Sequence, residues 1–178
     1  SFTRKAENLV CKNVEIPPLE AEGINILWYS DPELTELVFA GNIFNTGDTL
    51  PGDYLYFATQ TIDGCESEAI EITLTIYETP NVSFIPLDPV CLNTEVFELE
   101  NGEPAGGSYF GTGIIDETLF DASIAGAGTH NLGYRYADEN LCADTAYQNI
   151  TVLTLPEVTL DPFASVCLNT PPFELTGG

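Results

Sequence analysis

The stretch that decides the fold starts at Pro80-Asn81-Val82-Ser83-Phe84-Ile85-Pro86 and continues through Val90-Cys91-Leu92-Asn93-Thr94 to Phe97-Glu98-Leu99. The same pattern returns near the end of the chain, as Pro156-Glu157-Val158-Thr159-Leu160-Asp161-Pro162, Val166-Cys167-Leu168-Asn169-Thr170 and Phe173-Glu174-Leu175. Every matching position lies 76 residues further on, with no gap. A fixed period of this length indicates tandem domains. We therefore interpret the chain as part of an array of repeated units.

The repeat predicts three segments: a first unit at 1–79, a second at 80–155, and the truncated start of a third at 156–178. Units of about 75 residues bury only roughly 60% of their unfolded surface, so each has a thin core that benefits from a covalent link. Tyr77–Pro80 and Leu153–Pro156 join neighbouring units through a proline after a few residues. Such short, proline-containing linkers restrict the angle between units and favour a rod.

The sequence between the turns predicts an all-β chain. Short apolar or alternating runs lie between turn signals such as Ser30-Asp31-Pro32 and Asp63-Gly64, which is typical of short strands. The predicted strands are 24–29, 53–59, 70–77, 108–110, 129–137 and 145–153. About seven short strands per unit indicate tandem immunoglobulin-like β-sandwich domains. The single tryptophan, Trp28, fits a core position of the first unit.

The charge balance excludes several classes of partner. The chain has 28 acidic residues against 4 Lys and Arg, a net charge of −24. Nucleic acids and anionic membrane surfaces require a basic face, which this composition cannot form. No apolar run reaches the ~18 residues of a membrane span. Because no apolar segment follows Ser1–Lys5, we expect a mature segment whose targeting parts are encoded elsewhere.

The cysteines repeat with the units. Cys11 and Cys65 are 54 residues apart in the first unit, and Cys91 and Cys142 are 51 apart in the second. This spacing predicts one disulfide in each unit, Cys11–Cys65 and Cys91–Cys142, each closing one end of its sandwich. Cys167 repeats the early position, and its partner is expected beyond the fragment. Closing a loop of this size would stabilise each unit by roughly 4 kcal/mol in the chain-entropy model, and disulfides indicate an oxidising compartment.

The second unit also carries a recognisable series of motifs. They are Pro104-Ala105-Gly106-Gly107-Ser108-Tyr109-Phe110-Gly111-Thr112-Gly113, Ala125-Gly126-Ala127-Gly128-Thr129-His130 and Tyr134-Arg135-Tyr136, followed by Cys142. With Val90–Thr94 and Phe97–Leu99, this series resembles a tandem repeat of very large Bacteroidota surface proteins, including gliding-motility adhesins of the SprB type. The first unit, with Trp28-Tyr29 and Asp63-Gly64-Cys65, is similar to a second immunoglobulin-like repeat of those proteins. The resemblance implies a cell-surface or extracellular location, type IX secretion, adhesive or filament-forming roles, and no catalytic residues.

Catalytic and cofactor sites are not indicated. His130 is the only histidine, and no nucleophile and acid accompany it in a triad pattern. The glycine clusters lack the lysine of a phosphate loop, which favours turns. We therefore expect no cofactor, with calcium as the single candidate.

Carboxylates near the unit ends are the weak calcium candidates. They are Glu78, Asp88, Asp138, Glu139, Asp144 and Asp161. No continuous loop supplies the six to eight oxygens that calcium takes. The alternative interpretation is a solvated acidic face that keeps a long array soluble.

Two short patterns predict sugar attachment. Asp48-Thr49-Leu50 and Asp144-Thr145-Ala146 match the Asp-Thr-aliphatic pattern of O-glycosylation in Bacteroidota, so Thr49 and Thr145 are the candidate carriers.

The sequence thus predicts a non-catalytic repeat segment of a bacterial surface adhesin or extracellular filament, a stiff stalk with neighbouring repeats as its first partners. Surface glycans and other adhesin chains are further candidate partners. The alternative is a glycan- or protein-binding module that uses exposed aromatic residues such as Tyr109 and Phe110. A third hypothesis is a stalk attached to a secreted enzyme.

Overall fold

The computed structural model of the protein describes residues 8–160, 162 and 165–174. Its strands form two groups that share no sheet within this part of the chain. The first strand group consists of β1 (Asn8–Cys11), β2 (Leu19–Glu20), β3 (Ile26–Tyr29), β4 (Leu37–Ala40), β5 (Ile43–Phe44), β6 (Gly52–Ile62), β7 (Cys65–Glu66) and β8 (Ile70–Tyr77).

The second strand group follows after a short connection. It consists of β9 (Ser83–Phe84), β10 (Val90–Cys91), β11 (Phe97–Glu98), β12 (Gly102–Glu103), β13 (Ser108–Phe110), β14 (Ile114–Ile115), β15 (Leu119–Phe120), the helical turn α1 (Ala122–Ala125), β16 (Gly128–Ala137) and β17 (Ala143–Leu153).

The first group is a sandwich of unequal sheets. The larger sheet has the order β1-β8-β6-β3-β4, with β7 paired to β6, and the smaller sheet is β2-β5. Trp28 from the larger sheet and Leu19 and Phe44 from the smaller sheet belong to one buried cluster. The Trp28 ring is fully buried, as predicted, and its indole N–H donates to the carbonyl of Gly41 at 2.8 Å. This bond satisfies the one polar atom of the side chain.

The second group repeats the plan. Its main sheet has the order β10-β17-β16-β13, and β11-β15-β14 and β12-β9 complete the other side. The cluster between them includes Phe84 of β9, Phe120 of β15 and Tyr134 of β16. The Tyr134 hydroxyl donates to the carbonyl of Pro104 at 2.5 Å and accepts from the N–H of Gly107 at 2.7 Å. The predicted glycine-rich turn at 104–107 is therefore held against the core.

In both groups the first main-sheet strand runs parallel to the last one. β1 pairs with β8, and β10 pairs with β17, whereas the two longest strands of each group pair antiparallel. In each main sheet the last strand lies next to the preceding long strand, and that strand lies next to an earlier one: β8-β6-β3 and β17-β16-β13. This order is that of the immunoglobulin sandwich. The all-β, immunoglobulin-like fold class predicted from the sequence is confirmed.

Some local features differ from the prediction. Tyr56, Phe57 and Ala58 are all buried, so β6 is covered on both faces here, where the sequence predicted only a strand at 53–59. The sequence did not indicate α1, which begins after Asp121 because that carboxylate accepts the N–H groups of Ser123 and Ile124. No helix within the described residues has the length and apolarity needed to cross a membrane.

Candidate functional site

The candidate site is the place where the two strand groups meet. Cys11 ends β1 and lies opposite Tyr77, the last residue of β8. The N–H of Lys12 donates to the carbonyl of Tyr77 at 3.0 Å, which extends the pairing by one residue. The Lys12 ammonium also forms an exposed ion pair with Glu78 at 2.9 Å. The start of the first group is thus fixed beside the residues that lead into the second.

The other side of the junction is the turn that joins β16 to β17. Asp138 Oδ1 accepts the N–H groups of Asn140 and Cys142, both at 2.9 Å. Leu141 has a φ of 65°, the left-handed conformation that the turn requires. Because its backbone is held in this way, the turn presents Cys142 in a defined position.

A disulfide joins the two sides, linking Cys11 to Cys142 with a Cα–Cα distance of 5.5 Å. Cys142 is fully buried. Next to the bond, the side-chain amide of Asn13 donates to the carbonyl of Ala143 at 2.9 Å. We call Cys11, Asn13, Cys142 and Ala143 the junction site.

An open cleft of about 280 Å³ lies beside the junction site and includes Leu9, Tyr77 and Leu141 in its lining. Leu9 is 55% exposed and Leu141 is 82% exposed. Apolar packing at this contact is therefore incomplete, and the contact is held by the disulfide and the Asn13 hydrogen bond.

The predicted disulfide Cys11–Cys65 is wrong, because the two residues lie at opposite ends of the first group. Cys11 lies level with Tyr77, close to the pair Gly52 and Ile76. Cys65 lies opposite Ile62, at the other end of β6. The 11 residues of β6 span roughly 35 Å at ~3.3 Å per residue. A disulfide requires Cα atoms within about 7 Å.

The predicted disulfide Cys91–Cys142 is wrong for the same reason. Cys91 lies opposite Leu153, the last residue of β17, whereas Cys142 directly precedes Ala143, the first. The strand again separates them by roughly 35 Å. Each strand group therefore has no disulfide of its own among the described residues, and Cys65, Cys91 and Cys167 are exposed free thiols.

No protein-family model matches the chain, and no curated protein sequence matches it. Among solved structures, the chain is similar to the fibronectin(III)-like modules of Clostridium thermocellum CbhA, with a TM-score of 0.42 and 12% identity over 91% of this chain and 99% of that one. It is also similar to human mucin-like protocadherin EC1-2, with a TM-score of 0.32 and 13% identity over 87% and 98%. For protocadherin gamma B2 extracellular cadherin domains 1-5 the TM-score is 0.29, with 12% identity over 87% and 39%. At this level of similarity, function has to be argued from the chain's own residues.

The carboxylates predicted as calcium candidates are dispersed. Glu78 pairs with Lys12, Asp138 accepts two backbone N–H groups of its own turn, and Asp144 accepts the N–H of Thr145. Asp161 lies outside the described residues. No three acidic, histidine or cysteine side chains converge on one point in the part of the chain that the structure describes. Calcium binding at Glu78, Asp88, Asp138, Glu139, Asp144 or Asp161 stays a prediction.

The two aromatic candidates for ligand binding have different environments. Tyr109 was expected to be exposed, but it is 5% exposed, and its hydroxyl accepts the N–H of Gly102 at 2.7 Å. Burial raises the pKa of the Tyr109 phenol above its ordinary value. Phe110, one residue later, is 42% exposed because successive strand residues face opposite sides. Its ring meets the ring of Tyr147 edge-on, with the two ring centroids 5.9 Å apart.

The two candidate glycosylation sites also differ. Thr49 is exposed in the loop between β5 and β6, and the preceding Asp48 accepts the hydroxyl of Tyr56 at 2.6 Å. Burial and this bond raise the pKa of Tyr56 above its ordinary value. Thr145 is half-buried within β17, opposite Arg135. Sugar attachment at either residue stays a prediction.

His130 lies in β16, where a ring nitrogen contacts the carbonyl of Gly126 at 2.8 Å. This contact ties the strand to the end of α1. It gives His130 a structural role.

Proposed function

We propose that this chain is a non-catalytic stalk segment of an extracellular array, in which residues 1–79 and 80–155 are tandem domains and residue 156 starts a third. The observation that carries the proposal is the disulfide between Cys11 and Cys142. A disulfide between two units resists bending at their junction. It contributes nothing to a binding or catalytic site inside one unit. Disulfides also form and persist in oxidising compartments, which supports an extracellular location.

Stiffness follows from the number of connections at the junction. The short, proline-containing linker Glu78–Pro80 restricts the angle between neighbouring units, but by itself it is a single covalent connection. The disulfide adds a second covalent connection beside the linker, since Cys11 lies opposite Tyr77, and the Asn13 hydrogen bond adds a third constraint. We expect these connections together to reduce the hinge motion that is the default for adjacent domains.

The same proposal extends to the biological setting. The repeat motifs support a large bacterial surface adhesin or filament of the gliding-motility type, exported by the type IX system. The net charge of −24 supports an exposed shaft, because like-charged chains stay soluble and repel one another. The first partners are the neighbouring repeats of the same chain.

Small-angle X-ray scattering on the full chain, oxidised and reduced, tests the stalk. We expect one narrow distribution of maximum dimension for the oxidised chain and a broader distribution after reduction. The Cys11→Ser variant should match the reduced chain under both conditions, and the Cys65→Ser variant should match the wild type. A broad distribution for the oxidised wild type would refute the proposal.

A binding function is the second candidate, and the exposed pair Phe110 and Tyr147 supports it. Exposed aromatic faces on a sheet are suited to stacking on sugar rings or on a partner's side chains. Binding to a glycan array that disappears in Phe110→Ala and Tyr147→Ala, but not in the equally exposed Leu153→Ala, would support this function. The absence of binding by the wild type would remove it. The third hypothesis, a stalk attached to a secreted enzyme, is equally consistent with the stalk proposed here.

Sugar attachment at Thr49 and Thr145 belongs to the bacterial-surface proposal. Peptide mass mapping of protein from its natural source should show hexose-containing additions on these two threonines. Unmodified peptides at both positions would count against that origin, while leaving the stalk itself untouched.

A further inference from the structure

The backbone around Cys91 reproduces the backbone around Cys11. Cys91 ends β10 opposite Leu153, as Cys11 ends β1 opposite Tyr77. The N–H of Leu92 donates to the carbonyl of Leu153 at 2.9 Å, matching the bond from Lys12 to Tyr77 at 3.0 Å. Cys91 therefore occupies the position in the second group that the bonded cysteine occupies in the first.

The turn after the early cysteine is also repeated. The cysteine carbonyl accepts the N–H of the residue three positions on, and the bonds are Val14 to Cys11 at 3.1 Å, Thr94 to Cys91 at 2.9 Å and Thr170 to Cys167 at 2.9 Å. An asparagine stands two residues after each cysteine, at positions 13, 93 and 169. Asn13 uses this geometry to bond Ala143 across the junction. We expect Asn93 and Asn169 to make the same contact at their own junctions.

The late cysteine of the first group likewise resembles Cys142. Cys65 lies in the connection between β6 and β8, as Cys142 lies between β16 and β17. Its neighbour Glu66 accepts the hydroxyls of Thr59 at 2.6 Å and Tyr29 at 3.0 Å. Burial, followed by the Glu66 bond, raises the pKa of Tyr29 above its ordinary value. This connection is anchored to the core and exposes Cys65.

Two of the three free thiols thus lie at the two outer ends of the pair of groups. Cys65 is at the end of the first group away from the junction, and Cys91 is at the end of the second group away from it. We propose that every junction of the array is closed by the bond that joins Cys11 to Cys142. Cys91 bonds the late cysteine of the repeat that begins at Pro156, and Cys65 bonds the early cysteine of a preceding repeat. Cys167 then bonds the repeat after its own.

The chemistry is thiol–disulfide exchange with a small-molecule or protein disulfide as the oxidant. The Cys91 thiolate attacks the oxidant's disulfide and releases one thiol, and the late cysteine then attacks the mixed disulfide and releases the second. The two cysteines lose two protons and two electrons in total, and the oxidant disulfide becomes two thiols.

The linked junctions would limit how far the array can stretch. In such an array, the covalent path that bears the load follows the backbone from Cys142 to Cys167, 25 residues later. It then passes through the proposed disulfide of Cys167 to the repeat after that of Cys167. Fully extended, 25 residues span at most about 90 Å at ~3.6 Å per residue. Two strands as long as β17, placed end to end, already span about 73 Å. Such an array would be nearly inextensible even if its sandwiches unfolded.

The test is a full chain with one repeat duplicated, made by inserting a second copy of residues 80–155 between Leu155 and Pro156. Conservative changes E95D and D144E in the inserted copy distinguish its peptides from the original ones. The chain is equilibrated with reduced and oxidised glutathione, alkylated and mapped without reduction. We expect two linked pairs, Cys11 with the original Cys142 and the original Cys91 with the Cys142 of the copy.

The matched control is Cys91→Ser in the duplicated chain. It should lose the second link and leave Cys142 of the copy alkylated, while the link from Cys11 is retained. A Cys91 that stays free, or that bonds any other cysteine, while the link from Cys11 forms would overturn the proposal.

The inference rests on the repeated architecture of the proposed stalk, but the two fail separately. A second link without any narrowing of the scattering distribution would refute stiffness and leave the linked junctions standing. A narrow distribution without the second link would refute the linked junctions and leave the stiff stalk standing.

Discussion

The side-chain amide of Asn13 donates to the carbonyl of Ala143 at 2.9 Å, across 130 residues of sequence. Asn13 follows Cys11 by two residues, and Ala143 directly follows Cys142. The hydrogen bond therefore lies beside the disulfide and fixes the same two segments. We therefore expect this hydrogen bond to favour formation of the disulfide, because it holds the two segments that carry the cysteines against each other.

Replacing Asn13 with alanine should make the Cys11–Cys142 bond easier to reduce. One hydrogen bond contributes about 1 kcal/mol, so we expect the equilibrium between the bond and glutathione to shift by roughly fivefold toward the thiols. The measurement is the fraction of linked peptide across a series of glutathione ratios. Asn93→Ala removes the equivalent asparagine of the second group and is the matched control. An equal shift in both variants would contradict the role assigned to Asn13.

Loss of the disulfide should lower the stability of the chain. The bond closes a loop with a sequence separation of 131, which corresponds to about 5 kcal/mol in the chain-entropy model. We expect a lower denaturant midpoint for Cys11→Ser, measured by tryptophan fluorescence of Trp28. Cys91→Ser removes an exposed free thiol and should leave the midpoint within error of the wild type. A wild-type midpoint in Cys11→Ser would show that the junction adds no stability.

The sequence was informative wherever a motif repeats or apolar and polar residues alternate. The alternation at 70–77 indicated a half-buried strand, which is β8, while the tandem units indicated by the 76-residue offset stay a prediction. The cysteine pairing was wrong because sequence spacing carries no information on the direction of pairing. Cys91 is level with the end of β17 only because β10 runs parallel to that strand. An antiparallel first strand would have placed an early cysteine nearer to the late one.

Short segments were the other source of error. Ser108–Phe110 has three residues, so alternation could not reveal that Tyr109 faces the core and Phe110 faces solvent. Similarly, α1 is one helical turn and depends on a single cap at Asp121. The signal that was available is the asparagine two residues after every early cysteine, because Asn13 bonds Ala143 across the junction.

The cap at Asp121 predicts a dependence on acid pH. The Ser123 hydroxyl and the N–H groups of Ser123 and Ile124 donate to this carboxylate and lower its pKa below the ordinary 3.8. Because the folded pKa is the lower one, the stabilisation is fully present above about pH 4 and is lost as the pH falls through the folded value. Asp121→Asn should therefore remove part of the acid dependence of the unfolding free energy. The exposed Asp88→Asn, which removes the same charge away from the helix, is the control, and an equal effect of the two variants would contradict the role of the cap.

Gly133 should not tolerate a side chain. It lies opposite Phe110 in β13 and opposite Tyr147 in β17, and a Cβ atom at this position would collide with the Phe110 ring. We expect Gly133→Ala to destabilise the chain by about 1–3 kcal/mol, as overpacking does. The same change in a Phe110→Ala background should cost less, since the colliding ring is absent. Equal costs in the two backgrounds, measured by a double-mutant cycle, would contradict this packing.

Mechanical unfolding should depend on the junction disulfide. When the oxidised chain is pulled from its ends, the segment between Cys11 and Cys142 cannot lengthen, because force passes through the bond between them. A separation of 131 residues corresponds to about 470 Å of extended chain at ~3.6 Å per residue. We expect single-molecule traces of the oxidised chain to lack most of this length, and traces of the reduced chain to release it. Cys11→Ser should behave as the reduced chain under both conditions, whereas Cys65→Ser should behave as the wild type. Release of the full length by the oxidised wild type would show that the two strand groups are not covalently joined in solution.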